Sequence, residues 1–158
     1  RLADGTFKVN GIDPDTGEVN AVITDMVKPN GLAFSPDERQ LYVADTGASH
    51  VPNGPRHLRR YALHADGRSV QGDGPVFART DTGFFDGLRL DRHGNVWSSA
   101  ADGVHCLDPD GTLLGKIRVP EVVANVCFGG PKRNRLFICA TTSLYSIYLN
   151  TEGASWPI

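Results

Sequence analysis

Two polar side chains, Asn30 and Asp86, stand at comparable places in the chain, each directly before a glycine and a short apolar segment. An amide carbonyl and a carboxylate are oxygen donors, which suit a hard cation such as Ca²⁺ without thiolate or imidazole ligands. The same two residue types also hold turns by accepting hydrogen bonds from backbone N–H groups. The spacing by itself leaves both roles open.

The segments around these residues predict β-hairpins. After Asn30, an alternating apolar segment, a Pro-Asp-Glu turn and a second apolar segment at 41–44 follow one another. A comparable pattern begins at Asp86 and again at Ala124. The pattern recurs after about forty to fifty-five residues, a period typical of one β-propeller blade per unit. The sequence therefore predicts an all-β fold of the β-propeller type.

The whole chain, residues 1–158, is interpreted as one partial β-propeller domain with about three blades. We expect these blades at residues 29–80, 84–120 and 123–150, the last of them without its fourth strand. In the first blade, the segment 46–56 is rich in Gly and Pro and is predicted to be a loop of the kind that often borders a site.

Residues 1–28 are predicted to supply the two outer strands of a further incomplete blade. These strands are expected at 5–9 and 19–23, joined by a turn that contains Pro and Gly. About three blades cannot close a ring, and closure is what protects the edges of a propeller. We therefore expect either a fragment of a longer protein or a chain that needs a second half, from another copy or another chain.

Charge and composition exclude several classes of function. A formal net charge of -2 and a pI near 6.2 offer no basic face for nucleic acid. No apolar run approaches the roughly twenty residues that span a bilayer, and residues 1–5 lack the apolar core of a signal peptide. We expect a soluble protein, cytoplasmic or secreted, without a nucleic-acid or membrane partner.

The other residue types that bind metals show no recognisable pattern. Cys106, Cys127 and Cys139 include no Cys-x-x-Cys pair and are interpreted as small buried hydrophobic residues. The five histidines lack the spacing of a zinc site, and His105 is interpreted as a strand residue whose polar atoms are satisfied. A nucleophile elbow, a Walker loop and a dinucleotide-binding glycine motif are all missing from the sequence.

Several motifs together resemble a known family. Residues 29–47, which begin Pro-Asn-Gly-Leu-Ala-Phe, and residues 85–97, which begin Phe-Asp-Gly-Leu-Arg-Leu, are similar to the gluconolactonase family, which also contains senescence marker protein (regucalcin) and luciferin-regenerating enzyme. Residues 102–117 and 125–130 extend the similarity to nearly the whole chain. The resemblance implies a six-bladed propeller with one divalent metal ion in its central tunnel, usually Ca²⁺, with Zn²⁺ and Mg²⁺ as alternatives.

The resemblance also implies roles for individual residues. Members of the family bind the ion through a Glu near the N-terminus, the Asn of the Pro-Asn-Gly motif and the Asp of the Asp-Gly motif. The last two correspond to Asn30 and Asp86, and the Glu has no counterpart in this chain. Asp86 would in addition act as the general base toward the attacking water. Asn125 and Asp45 are further candidates for contact with substrate, and a structural role at a strand end is the alternative for each.

On this resemblance we expect a metal-dependent hydrolase in carbohydrate metabolism, acting on a sugar lactone or a related small ester. One alternative is a propeller that binds other proteins without catalysis, because a fold does not fix a function. A second alternative is a related enzyme, such as an aryl-ester hydrolase or a strictosidine-synthase-like protein.

Overall fold

A computed structural model of the chain describes residues 6–155, and its regular secondary structure is almost entirely β-strand. Fourteen strands form four antiparallel sheets, and the helical structure in that range is a 3-10 turn at Gly47–Ser49. Within the described residues, no helix is long and apolar enough to cross a membrane. The prediction of an all-β chain is confirmed.

An N-terminal hairpin comes first, formed by β1 (Val9–Ile12) and β2 (Val19–Ile23). The Asp13 side chain closes its turn by accepting hydrogen bonds from the N–H groups of Asp15 and Thr16 at 2.9 and 3.0 Å. Since Ile12 pairs with Val19 across this turn, the first strand must directly precede Asp13. The predicted strand at 5–9 was therefore wrong over residues 6–8, and residue 5 lies outside the described range.

The first sheet contains five strands and follows the hairpin. Its members are β3 (Pro29–Phe34), β4 (Gln40–Asp45), β5 (His57–Leu63), β6 (Val70–Gln71) and β7 (Val76–Arg79). Their order is β3-β4-β5-β6, and β7 also pairs with β5. The hairpin predicted after Asn30 is confirmed, whereas the short strand β6 was not predicted.

The second and third sheets repeat the same antiparallel plan. The second sheet consists of β8 (Leu88–Leu90), β9 (Val96–Ala100), β10 (Gly103–Leu107) and β11 (Leu113–Arg118), paired in that order. The third sheet consists of β12 (Val123–Gly129), β13 (Arg135–Ala140) and β14 (Leu144–Tyr148). Strand β8 contacts β3 on one side and β12 on the other, so the first strands of all three sheets are neighbours. This is the arrangement of successive blades in a β-propeller.

Apolar layers between the sheets hold this arrangement together. Leu41, Val43 and Tyr61 pack in the layer that the N-terminal hairpin completes with Ile23 and Met26. The opposite face of the first sheet packs on the second sheet through a cluster that contains Tyr42, Leu58, Phe85, Leu88 and Val96. The second and third sheets share a third cluster, which contains Val104, Val126, Phe128, Leu136 and Ile138. Each sheet is therefore fixed by its neighbours in the series.

The outward face of the third sheet is uncovered. Leu144 and Tyr148 are both 68% exposed, and Cys127 and Cys139 are exposed free thiols. The expectation of three buried cysteines was wrong for these two, because side chains alternate along a strand and their neighbours occupy the buried positions. Cys106 is buried as predicted, and burial raises the pKa of its thiol to about 12.

Candidate metal and active site

The first strands of neighbouring sheets bring Asn30 and Asp86 together. Asn30 lies at the start of β3, and Asp86 lies two residues before β8. The side chain of Asn30 lies close enough to the carboxylate of Asp86 to lower the pKa of that carboxyl. Gly31 permits this approach, since a Cβ atom at that position would overlap the backbone carbonyl of Asp86. Two residues that are far apart in the sequence thus form one polar pair.

Irregular pairing at the strand starts helps to aim these side chains. The register of β3 against β4 shifts between Pro29 and Leu32, the interval that contains Asn30. The register of β12 against β13 shifts between Val123 and Asn125. A bulge of this kind breaks the alternation of side chains and turns one of them in a new direction. The polar residues therefore lie where the regular sheet pattern begins rather than within it.

Backbone hydrogen bonds fix the segment that carries Asp86. The N–H of Ser99 donates to the carbonyl of Gly87 at 2.9 Å, and the N–H of Asp86 donates to the carbonyl of Ser99 at 3.4 Å. The N–H of Gly87 donates to the carbonyl of Ala124 at 2.9 Å, and the Ser99 hydroxyl donates to the same carbonyl at 3.1 Å. This segment is therefore tied both to its own sheet and to the start of β12.

Asn125 follows Ala124 and lies against Gly87. A Cβ atom at Gly87 would overlap the side-chain oxygen of Asn125, so only a glycine leaves room for that amide. The oxygen accepts a hydrogen bond from the N–H of Val126 at 2.9 Å, which is the local structural role considered for this residue. The structure thus places Asn125 next to the residue that follows Asp86.

The environment of Asp86 disfavours its charged form. Burial raises the pKa of its carboxyl above the usual 3.8, while the hydrogen bond from Asn30 and the positive charge of Lys28 act in the opposite direction. A desolvated carboxylate is stabilised by a cation placed beside it. The site is therefore electrostatically suited to bind a positive ion.

The donors fit a hard divalent cation in kind but are too few to complete its coordination. Asp86 offers carboxylate oxygens, and Asn30 offers an amide carbonyl. Ca²⁺ takes about six to eight oxygen ligands. Within residues 6–155, no group of three or more His, Cys, Asp or Glu side chains is arranged to hold a metal ion. Water or residues outside that range would have to supply the other ligands.

Asp45, the other residue considered for substrate contact, is 3% exposed, and its carboxylate is hydrogen-bonded to backbone N–H groups. Its carboxylate accepts hydrogen bonds from the N–H groups of Val27 and Lys28 at 2.9 Å each and from that of Gly47 at 3.1 Å. These bonds fix the backbone just before β3. The geometry therefore makes Asp45 a support for Asn30.

Lys28 is a basic residue near the site that sequence reasoning did not single out. Its ammonium nitrogen lies 3.0 Å from Nε2 of His50 and 3.3 Å from the hydroxyl of Ser49. Its charge also acts on Asp86. Its position directly before the Pro-Asn-Gly motif is a signal in the sequence, but its partners depend on how the loop at 46–56 folds.

A polar network anchors the segment that leads into Asp86. Asp102 accepts a hydrogen bond from the hydroxyl of Thr82 at 2.8 Å and contacts Nε2 of His105 at 2.7 Å and the ammonium of Lys116 at 3.1 Å. Burial opposes ionisation of Asp102, but the hydrogen bonds from these three side chains outweigh it and hold the pKa of its carboxyl well below the usual 3.8. The prediction of a satisfied His105 in a strand is confirmed.

Residues 4–142 match the model of a protein family described as the SMP-30/Gluconolactonase/LRE-like region. The chain belongs to this family. A gluconolactonase of Zymomonas mobilis is 31% identical over 160 residues, which cover 95% of this chain and 42% of that protein. This chain spans less than half the length of the curated relatives that it matches.

Solved structures of the SMP-30/gluconolactonase family share the fold. A gluconolactonase from Xanthomonas campestris superposes with a TM-score of 0.80 at 34% identity, over 93% of this chain and 45% of that chain. A regucalcin from Agrobacterium tumefaciens, described as a calcium-binding protein, gives a TM-score of 0.76 at 23% identity, over 94% of this chain and 54% of its own. The predicted β-propeller architecture is confirmed.

Proposed function

We propose that this chain forms part of the active site of a metal-dependent hydrolase that acts on a sugar lactone. The observation that carries the proposal is the pairing of Asn30 with Asp86 at the starts of two neighbouring inner strands. The names of the curated relatives support it, because they include a gluconolactonase, a pentonolactonase and a sulfogluconolactonase.

Asn30 and Asp86 would hold the divalent cation. Calcium is the first candidate, in keeping with the hard oxygen donors and with the calcium-binding regucalcin among the structural neighbours, and Zn²⁺ and Mg²⁺ are alternatives. When bound, the ion would polarise the lactone carbonyl. Asp45 holds the backbone that presents Asn30, so it contributes through position rather than contact.

Asp86 would also act as the general base and then as the general acid. Hydrolysis adds one water across the ester C–O bond of the lactone and gives the open-chain hydroxy acid. The carboxylate of Asp86 accepts a proton from the attacking water and returns it to the departing ring oxygen. Without a bound ion, burial raises the pKa of this carboxyl, and a cation held beside it would lower that pKa.

Further blades, outside the described residues, would supply the rest of the site. The ligand set in residues 6–155 is incomplete, and this chain spans 42% of the Zymomonas relative. Ile12 and Val19 on the N-terminal hairpin are 70% and 60% exposed, and Leu144 on the third sheet is 68% exposed. These faces suit contact with further blades, supplied by the same polypeptide or by another copy.

The test combines solution mass, calcium binding and turnover. We would measure mass by light scattering, calcium binding by titration calorimetry and lactone opening in a pH-stat, on wild type, Asp86→Asn and a control, Asp110→Asn, in an exposed turn. Where further blades complete the propeller, the proposal expects calcium binding and turnover in the wild type and the control, and much weaker calcium binding with lost turnover in Asp86→Asn. Equal calcium heats in all three proteins, with no turnover, would favour a binding module instead.

A further inference from the structure

The loop at 46–56 holds the ammonium of Lys28 beside the candidate site. The Lys28 nitrogen lies 2.8 and 3.0 Å from the two ring nitrogens of His50, and a neutral imidazole accepts its hydrogen bond through one of them. It also lies 3.3 Å from the hydroxyl of Ser49. That hydroxyl donates to the carbonyl of Thr46 at 2.7 Å, so it accepts from Lys28. Loop side chains thus orient a lysine that would otherwise be free to move.

Lys28 forms no ion pair with a carboxylate among the described residues, although its charge acts on Asp86 over a longer distance. Within the part of the chain that the structure describes, none of the ion pairs involves Lys28, and none involves Arg56 or Arg79. Ordering a long, flexible side chain costs conformational entropy. An ordered ammonium that makes no ion pair with the nearby Asp86 is therefore free to bind an anionic ligand.

The same end of the first sheet also carries the basic residues Arg56 and Arg79, beside the buried carboxylate of Asp45. Pro29, Asp45, His57 and Arg79 stand in register across β3, β4, β5 and β7, so Arg79 lies at the same end of the sheet as Asn30. The guanidinium carbon of Arg56 lies 5.2 Å from the centre of the Phe84 ring. Phe84 comes two residues before Asp86 in the sequence. These charges raise the local potential for an approaching anion.

We propose that Lys28, presented by Ser49 and His50, binds an anionic substituent of the substrate, such as a carboxylate, sulfonate or phosphate remote from the reacting ester. This inference rests on the proposed lactone hydrolysis and narrows its substrates to acidic sugar lactones. A cation held by Asp86 would neutralise the carboxylate that now faces Lys28, and the anionic substituent would then balance the charge of the ammonium.

Binding is tested first with inorganic sulfate, in the absence of metal, by NMR of backbone amides and imidazole nitrogens. The proteins are wild type, Lys28→Gln and a matched control, Lys132→Gln, which removes an exposed lysine in the turn after β12, at the opposite end of that strand from Asn125. We expect saturable shifts at Lys28, Ser49 and His50 that the control retains and Lys28→Gln abolishes. Shifts that do not saturate, or that persist in Lys28→Gln, overturn the anion site.

Kinetics then separate this inference from the proposed function. A neutral aldonolactone and its 6-phosphate ester are compared as substrates of the same proteins. We expect Lys28→Gln to raise KM for the phosphate ester at least tenfold more than KM for the neutral lactone, and we expect Lys28→Arg to restore KM for the ester. An equal loss of kcat/KM for both substrates would overturn the preference for acidic lactones, because Lys28 would then act on the lactone group itself. Failure of every form to hydrolyse either lactone refutes lactone hydrolysis, while the sulfate titration still decides the anion site.

Discussion

The side chain of Asn30 lies beside the carboxylate of Asp86 and lowers the pKa of that carboxyl, although the two residues belong to the inner edges of different sheets. The pair places an amide, whose carbonyl can act as an oxygen donor, beside a partly desolvated carboxylate. Such a pair adds little to stability, because burial disfavours the charge of Asp86. A site that costs stability in this way is expected where a ligand binds.

Asp86→Asn should separate stability from metal binding. Because the folded-state pKa of Asp86 is raised, its ionisation opposes folding near neutral pH, and stability is gained as the pH falls through that pKa. We therefore expect the variant to keep or raise the unfolding midpoint in EDTA, to lose most of the stabilisation that calcium gives the wild type, and to lose about a hundredfold or more in kcat. Thermal unfolding followed by circular dichroism, with and without calcium, measures the first two effects. A calcium response like that of Asp110→Asn would contradict the assignment.

Calcium affinity should depend on pH through the same carboxyl. Protons compete with the ion for Asp86, and burial places its pKa above 3.8, so affinity should rise with pH and level off once the carboxyl is fully ionised. Calorimetric titrations between about pH 4 and about pH 7 cover this range. Asp86→Asn should show residual binding with a much weaker pH dependence. A wild-type affinity that stays constant over the whole range would show that another group holds the ion.

Gly31→Ala should disturb the site through the backbone. The added Cβ would overlap the carbonyl of Asp86, so β3 and the start of β8 must move apart. We expect a loss of about 1–3 kcal/mol in the free energy of unfolding, together with weaker calcium binding. Gly115→Ala is the control, since no heavy atom lies within 4 Å of the Cβ that it would add. Urea unfolding measures both variants, and equal stability would show that the inner strands tolerate the change.

Much of the fold could be predicted because its signals are local. Alternating apolar residues around the turn at 36–38 define β3 and β4 without reference to the rest of the chain. The first strand was misplaced because its position depends on the closing hydrogen bonds of Asp13. The exposure of Cys127 and Cys139 could not be predicted either, since it depends on which face of the third sheet is covered.

The candidate site could likewise be predicted from the sequence only in part. The motifs that contain Asn30 and Asp86 identify these residues from the sequence, but their proximity depends on the packing of two sheets. The support that Asp45 gives to the backbone of Lys28 joins residues from adjacent strands. The contact of Lys28 with His50 depends on an irregular loop, whose conformation no periodic pattern specifies.

Asp102→Ala should destabilise the fold and increase the mobility of residues 82–86, the segment that positions Asp86. Although burial opposes it, hydrogen bonds from His105, Thr82 and Lys116 keep the folded-state pKa of Asp102 low. Its contribution to stability is therefore present above the unfolded-state pKa and is lost as the pH falls toward the folded-state value. We expect the variant to lose about 3 kcal/mol in the free energy of unfolding at neutral pH, because it removes the hydrogen-bond partner of Thr82 and His105 and one of the two carboxylates that contact Lys116.

The stability loss in Asp102→Ala should also depend on pH, which gives a second measurement of the role of Asp102. Urea unfolding at about pH 7 and about pH 3 should show a smaller difference between Asp102→Ala and wild type at the lower pH, where unfolded Asp102 is mostly protonated. Asp73→Ala, an exposed control, should stay within about 0.5 kcal/mol of wild type at both. Since Thr82 precedes Asp86 in the tethered segment, calcium affinity should also fall in Asp102→Ala. An unchanged affinity would mean that the contacts of Gly87 and Ser99 suffice to place Asp86.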